Sequence, residues 1–241
     1  MGFGVRSCAS MWLWKRLASR IAYRIYVSGI VIVIIFSVTL HIQAALFGAE
    51  TLKMMHALST VHIGVTSKVE TLKELPALRA TQPDSFGGSR CGADECFSTS
   101  LATTGFLDSA LRSIAPRHRS IFAILNWLGV RGRYLDLHVE FKSGTVSSFG
   151  YQLMVTSARA DYPYVVVVGV SSVQRITENT VTYSVNAARQ APFQSVGIVL
   201  TPQAPIEITR PAFNPDMRCL SSLGGCRSWH DVLPHFERLA T

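Results

Sequence analysis

The segment Val27–Leu40 reads VSGIVIVIIFSVTL and lies within a longer stretch, Ile25–Ala49, that contains no Lys, Arg, Asp or Glu. An α-helix rises about 1.5 Å per residue, so about 20 residues of this kind cross the hydrocarbon core of a bilayer. The stretch therefore predicts one transmembrane helix, at residues 25–47, and through it contact with the lipid bilayer.

The charges before this stretch predict its orientation. They comprise five cations and no acidic residue: Arg6, Lys15, Arg16, Arg20 and Arg24. Positively charged flanks of a membrane helix stay in the cytoplasm. We therefore expect residues 1–24 to form a cytoplasmic basic segment, and everything after the helix to lie outside the cytoplasm. The predicted location is the cytoplasmic (inner) membrane, crossed once.

A cleaved signal peptide is the alternative to an anchor, because a basic start and an apolar centre are common to both. Small residues that could precede a cleavage site occur at Ala44 and, less suitably, at Ala49. Both the apolar segment and the basic start are long for a signal peptide. We therefore favour an uncleaved anchor over a secreted protein.

The net charge of +8 does not indicate a nucleic-acid partner. Five of the 23 basic residues lie in the first 24 positions, which leaves 18 basic and 15 acidic residues for the remainder of the chain. Most of the excess positive charge is thus explained by membrane orientation. No nucleic acid is expected to bind.

Three regions are expected after the membrane helix. Residues 48–79 predict a helical juxtamembrane region with two short helices, the first ending near Gly64. The second begins at Ser67, which has the spacing of a capping box with Glu70. Residues 80–94 are rich in Gly, Pro and polar side chains and predict a linker. Residues 95–241 predict an extracytoplasmic α+β domain.

A sheet is predicted wherever apolar and polar residues alternate. Residues 135–141 and 149–155 alternate on either side of a turn at 142–145, which indicates a hairpin. An uninterrupted apolar run at 164–170 indicates a central strand, and 96–103 could be a further strand. Shorter strands are predicted at residues 181–185, 196–200 and 206–209. Five or six strands without intervening helices predict a mostly antiparallel sheet, flanked by short helices, and hence the α+β class.

The flanking helices are predicted from apolar residues at helical spacing. Two of them, at residues 106–114 and 120–128, precede the sheet. Two more follow it, one at residues 215–223 and one that starts at Ser228.

Four cysteines lie in the region predicted to be outside the cytoplasm: Cys91, Cys96, Cys219 and Cys226. An even number of cysteines in an oxidising compartment indicates disulfide bonds. Three pairings are possible, and the sequence does not choose between two local loops and crossed bridges. A zinc site with four thiolates is the competing interpretation, but intervals of four and six residues are loose for one. We predict two disulfides.

No known catalytic motif occurs in the chain. It has no phosphate-binding glycine loop, no His-Glu-x-x-His pair and no Gly-x-Ser-x-Gly elbow. We therefore predict no catalytic, cofactor-binding or metal-binding residues and no cofactor. The alternative is an extracytoplasmic hydrolase or metal-dependent enzyme that uses His138 with Asp136 or Glu140, since the three alternate on one face of a strand.

The most unusual polar feature of the sequence is a group of basic residues. Five are candidates for contact with an anionic surface: Arg112, Arg117, Arg119, Arg131 and Arg133. No acidic residue occurs between Asp108 and Asp136, and the apolar segment 121–128 interrupts the cations. This pattern is typical of an amphipathic helix that lies on a membrane, and also of a core helix with solvated ends. Of the two, we favour the core helix.

The C-terminal region carries a resemblance. Residues 213–226 read FNPDMRCLSSLGGC and are followed by Val232-Leu233-Pro234. This segment resembles the C-terminal signature of membrane-anchored extracytoplasmic proteins of acidobacterial type, whose activity is not established. The pair Cys91 and Cys96, followed by a strand, is similar to their earlier cysteine pair, and the resemblance spans roughly residues 50–235. It implies a bacterial envelope location and no particular activity.

Together these patterns predict a single-pass membrane-anchored envelope protein. Its outer domain is expected to be a non-enzymatic binding or structural module, with an envelope protein as a possible partner. The enzyme that uses His138 and the secreted protein remain the alternatives.

Overall fold

The computed structural model describes residues 6–80, 95–103, 118–157, 164–172, 182–186, 193–200, 204–222 and 225–234. The chain divides into two compact units, Met1–Leu40 and His41–Thr241. The linker predicted at residues 80–94 lies outside the described residues except for Ala80, and the helix predicted at residues 106–114 lies wholly outside them.

One long helix, α1 (Arg6–Ser59), contains the whole uncharged stretch. Its part from Ser19 to Ser59 is long and apolar enough to cross a membrane, which suits an anchor and a signal sequence equally. The helix continues past residue 47 because residues 50–59 include strong helix formers and no Gly or Pro. The separate short helix expected before Gly64 is therefore wrong, since its first part belongs to α1.

The second helix, α2 (Lys68–Glu74), begins with the predicted capping box. The Ser67 hydroxyl accepts a hydrogen bond from the Glu70 backbone N–H, and the Glu70 carboxylate accepts one from the Ser67 N–H at 3.0 Å. The helix ends before Pro76, because a proline disfavours the helical conformation of the residue that precedes it. The capping prediction is confirmed.

Seven strands form the sheet in the part of the chain that the structure describes: β1 (Arg79–Ala80), β2 (Cys96–Thr103), β3 (Arg133–Lys142), β4 (Thr145–Thr156), β5 (Tyr164–Ser172), β6 (Thr182–Asn186) and β7 (Phe193–Leu200). Their order is β1-β2-β3-β4-β5-β7-β6. Neighbours are antiparallel except for β5 and β7, which run parallel. The α+β class and the mostly antiparallel sheet are confirmed.

The predicted hairpin joins β3 to β4. Its two turn residues, Ser143 and Gly144, have φ values of 53° and 82°. Positive φ at both central residues is the backbone conformation whose twist matches that of a two-stranded ribbon. The hairpin therefore aligns β3 and β4 so that Leu137 pairs with Tyr151.

Within the described ranges, four short helices accompany the sheet: α3 (Arg119–Trp127), α4 (Ile206–Ala212), α5 (Arg218–Ser221) and α6 (Trp229–Val232). The strand predicted at residues 206–209 is wrong, because this segment is the first part of α4. Four residues are too few for their periodicity to separate a strand from a helix. Pro205 precedes the helix, in a conformation that suits a helix start.

The helix α3 was expected to turn its apolar residues toward the core. Instead, Ile121, Ile124 and Trp127 are exposed, at 48%, 59% and 59% of their surface. The buried side chain near the end of this helix is the polar Asn126. The interpretation of this segment as an ordinary core helix is therefore wrong.

The hydrophobic core lies on one face of the sheet. Alternate residues of β3, among them Leu135, Leu137 and Val139, pack against side chains from α1, α4, α5 and α6. Tyr151 is buried there and donates a hydrogen bond of 2.7 Å to the carbonyl of Ala212, which ties β4 to α4. The other face of β3 carries its polar residues, and these form the first candidate site.

Candidate functional site

The polar face is the side of β2, β3 and β4 that points away from the core. Strand register places its members side by side: Ser98 and Ser100 on β2, Tyr134, Asp136, His138 and Glu140 on β3, and Ser148 and Gln152 on β4. Residues that pair directly across strands share a face, so these side chains form one continuous polar layer. Asp136 is buried in this layer at 9% exposure, whereas Ser100 is exposed. The structure thus brings the sequence-predicted residues of β3 together with polar partners from two neighbouring strands.

Asp136 is bound from one side of this face. The Tyr134 hydroxyl donates a hydrogen bond of 3.0 Å to Asp136 Oδ2. Burial raises the pKa of the Asp136 carboxyl, and the hydrogen bond from Tyr134 partly opposes that rise. The pKa of Tyr134 is raised to about 12, chiefly by burial and further by the adjacent carboxylate. The hydrogen bond therefore favours the protonated phenol of Tyr134 and the ionised carboxylate of Asp136.

Glu140 is bound from the opposite side of His138. Its Oε2 accepts a hydrogen bond of 2.8 Å from the Ser148 hydroxyl. Burial lowers the pKa of His138, and the charge of Glu140 opposes this. Because the two carboxylates have partners on either side of the histidine, they do not converge on one point. Among the described residues, no group of three His, Cys, Asp or Glu side chains could hold a metal ion.

Two arginines predicted as surface contacts lie inside the protein. Arg131 and Arg133 are 3% and 4% exposed. Burial lowers the pKa of Arg131 to about 10, and burial together with the charge of Arg131 lowers that of Arg133 to about 10. Both side chains therefore stay charged at neutral pH, and the structure does not place them on a surface that could meet an anionic partner.

The guanidinium of Arg131 joins three parts of the fold. Its Nε and Nη2 donate to the side chain and the backbone carbonyl of Asn126 at 2.6 and 2.8 Å. Its Nη1 donates to the carbonyls of Leu220 and Ser222 at 3.0 and 2.7 Å. Arg131 thus fixes the end of α3 to the segment that follows α5.

Gly225 makes room for this guanidinium. It has a φ of 65°, and a Cβ built on it would lie 3.1 Å from the Cζ of Arg131. Any other residue at this position would therefore be strained by its backbone conformation and crowded by the arginine.

A disulfide closes the same segment. Cys219 and Cys226 are bonded to each other, which is one of the local loops left open by the sequence. Cys96 is also disulfide-bonded, and Cys91, the remaining cysteine of the four, lies outside the described residues. The loop 219–226 is therefore held covalently by its ends and by Arg131 through its carbonyls.

Arg133 has a different environment from Arg131. Its Nε and Nη2 are buried and have no hydrogen-bond partner in the part of the chain that the structure describes. Of the other three predicted surface cations, Arg112 and Arg117 lie outside the described residues, and only the backbone of Arg119 is described. Contact of these three with an anionic surface stays a prediction.

A groove of 490 Å³ runs between α1 and the C-terminal segment. Gly48 and Leu52 line one side, and Asp216, Met217 and Arg218 line the other. The Arg218 Nε donates to both carboxylate oxygens of Asp216 at 3.0 Å, so the charged side chains neutralise each other. The sequence did not predict this groove, because its walls come from segments about 165 residues apart that carry no shared motif.

Comparison with known protein families, with curated proteins and with solved structures finds no match. The resemblance of residues 213–226 to envelope proteins of acidobacterial type therefore stays a prediction. Function has to be inferred from the helix α1 and from the surfaces described above.

Proposed function

We propose that this chain is a single-pass membrane protein of the cell envelope, in which α1 is an uncleaved anchor and the second unit is a non-enzymatic binding or structural module. The observation that carries this proposal is that the last residues of the uncharged stretch, and the residues of α1 that follow it, are part of the hydrophobic core. Ala44, Phe47, Met55 and Leu58 are all buried in it.

Cleavage at either candidate site would remove part of this core. A cut after Ala44 would remove Ala44 itself, and a cut after Ala49 would remove Ala44 and Phe47, which are 0% and 3% exposed. Loss of a buried phenylalanine side chain alone costs about 3–5 kcal/mol. A signal peptide is discarded, so its sequence seldom contributes to the folded product, whereas an anchor can continue into its domain.

The orientation follows from charge. Arg20 and Arg24 flank the uncharged stretch on its N-terminal side, and no acidic residue precedes Glu50. By the positive-inside rule the first residues stay in the cytoplasm and the second unit lies outside it. The disulfide between Cys219 and Cys226 agrees with an oxidising compartment.

The polar face supports binding over turnover. Asp136 and Glu140 each engage a hydroxyl group and are separated by His138. A catalytic pair acts on one reacting group, so its side chains need to converge on a common point. Polar groups spread along three strands instead suit the recognition of an extended partner surface, for which an envelope protein is our expectation.

Site-specific photo-crosslinking in living cells tests the binding role. A photoreactive amino acid at Ser100, an exposed position on the polar face, should give a discrete adduct in the membrane fraction. The same amino acid at Ser143, an exposed position in the β3–β4 turn, is the matched control and should give none. Absence of an adduct at Ser100, or identical adducts at both positions, would contradict binding through the polar face.

A further inference from the structure

The helix α3 carries an apolar ridge, which we define as Ile121, Ile124 and Trp127. Spacings of three residues place these side chains along one side of the helix. Each is about half exposed or more. Large apolar side chains scattered singly over a surface are ordinary, but a contiguous group of them marks a surface that contacts another molecule or a membrane.

The opposite side of α3 is fixed to the domain. The Asn126 side chain is buried and donates a hydrogen bond of 2.8 Å to the Ser157 carbonyl at the end of β4. It also accepts the bond from Arg131 Nε at 2.6 Å. Because these bonds hold one side of the helix inward, rotation of α3 cannot bury the ridge without breaking them.

Charge indicates the chemistry of the partner. Four cationic or titratable residues lie just before or at the start of the helix: Arg112, Arg117, His118 and Arg119. No Asp or Glu occurs from residue 109 to residue 135. An apolar helix face that ends in Trp and follows a cluster of cations is typical of helices that lie in the interface of an anionic bilayer.

Within the second unit, the end of α3 is linked to the C-terminal segment that packs on α1. Arg131 connects the end of α3 to the carbonyls of Leu220 and Ser222. The same C-terminal segment packs on α1, where a Cβ built on Gly48 would lie 3.1 Å from the Cβ of Met217. Because α3 belongs to the same chain as the proposed anchor, a chain held at a bilayer by α1 carries α3 at high local concentration near lipid.

We propose that the apolar ridge of α3 inserts into the interface of the anionic bilayer that holds the chain, as a second membrane contact. This inference rests on the proposed anchor. The anchor supplies proximity, the cations attract anionic headgroups, and the ridge then leaves water for the headgroup and acyl boundary. Trp127 suits this depth because its ring is apolar and its N–H can still find a polar partner.

Tryptophan quenching in nanodiscs tests the proposal on the full-length chain. The variant Trp12→Phe/Trp14→Phe retains Trp127 and Trp229, and Trp229 is 2% exposed, so only Trp127 can report lipid contact. Nanodiscs are prepared with phosphatidylglycerol whose acyl chains are brominated near the headgroup, or with the same lipid unbrominated. We expect bromination to remove up to about half of the emission, because one of the two tryptophans lies at quencher depth.

Charge substitutions provide the matched comparison. Ile124→Glu in the same background should abolish the quenching, and Ile121→Glu should do so independently. Val69→Glu adds the same charge at an aliphatic residue of α2 that is 78% exposed, and it should leave quenching unchanged. All three positions are exposed, so none of the variants loses a packed side chain, and unchanged emission of the buried Trp229 confirms folding.

The outcomes separate this inference from the anchor. Co-elution of the protein with nanodiscs reports the anchor alone. Co-elution without quenching of Trp127 would overturn the interfacial role of α3 and leave the anchor intact. Quenching that survives Ile124→Glu would also overturn it, because the ridge would then not be responsible. Loss of co-elution in the parent variant would instead contradict the proposed function. A ridge that is unquenched in nanodiscs but crosslinks to a protein in cells would assign it to a protein partner and likewise overturn the proposal.

Discussion

Replacement of Arg131 by methionine is the perturbation whose effect the structure defines most closely. Methionine keeps a long side chain in the space but supplies no donor. It would remove the arginine's hydrogen bonds to the carbonyls of Asn126, Leu220 and Ser222 and to the Asn126 side-chain oxygen. The carbonyls of Asn126 and Ser222 would still accept bonds from the backbone N–H groups of Gly129 and Gly225. Three of these acceptors belong to the backbone, so no second substitution can remove them.

The magnitude follows from the number of bonds. Four hydrogen bonds at a net worth of about 1 kcal/mol each predict a loss of about 4 kcal/mol in the free energy of unfolding. In a domain of this size, each kcal/mol lowers the melting temperature by about 2–4 °C, so the expected decrease is about 8–16 °C. Arg131→Lys should lie between Met and wild type, because one ammonium group cannot reach acceptors arranged around a planar fork.

Thermal unfolding of the full-length chain in detergent, followed by intrinsic fluorescence, measures this effect. Arg218→Met is the matched control, because the Arg218 side chain is 90% exposed and its ion pair with Asp216 is open to solvent on the arginine's side. The control should unfold close to the wild-type temperature. An Arg131→Met variant as stable as wild type would refute the role assigned to the buried guanidinium. Equal destabilisation by both variants would show that burial does not determine how much each arginine contributes to the free energy of unfolding.

Three further predictions concern other contacts. Cys219→Ser/Cys226→Ser should lower the free energy of unfolding by about 2–3 kcal/mol in denaturant titrations, because a bridge between residues seven positions apart restricts the unfolded chain. The bonds from Ser67 lower the pKa of Glu70 below its ordinary value of 4.5, so this group stabilises the fold above that pH. Thermal scans should show that its contribution is lost as the pH falls through the lowered pKa, and that Glu70→Gln lacks this component. Tyr151→Phe should lower the free energy of unfolding by about 1 kcal/mol, because a buried carbonyl loses its donor.

The features predicted correctly from sequence are those with a local cause. The alternation of residues 135–141 predicted β3, because a strand with one buried face needs apolar side chains at every second position. The spacing of Ser67 and Glu70 predicted the cap of α2, because both partners lie within one helical turn and their contact depends only on local sequence. The apolar stretch of α1 was equally plain, because a helix that can cross a membrane needs about 20 such residues in a row.

The features missed depend on contacts between distant segments. Arg131 and Arg133 looked like surface cations, since a sequence does not record that Leu220 and Ser222 supply acceptors about 90 residues away. Segment 206–209 has β-branched residues that resemble a strand, but Pro205 and the packing of α4 select a helix. Burial of Asn126 in place of Ile124 could not be foreseen. Helical spacing shows which residues share a face of a helix, but it does not show which face the rest of the fold covers.

The mass of the intact protein purified from membranes tests the central claim most directly. The account predicts a chain that retains the residues before Ala45 and that resists extraction at alkaline pH. A shorter chain that begins at Ala45 or Glu50 would contradict it. That result would show that α1 is cut within the segment that contributes Ala44 and Phe47 to the core, and the protein would then be a secreted one.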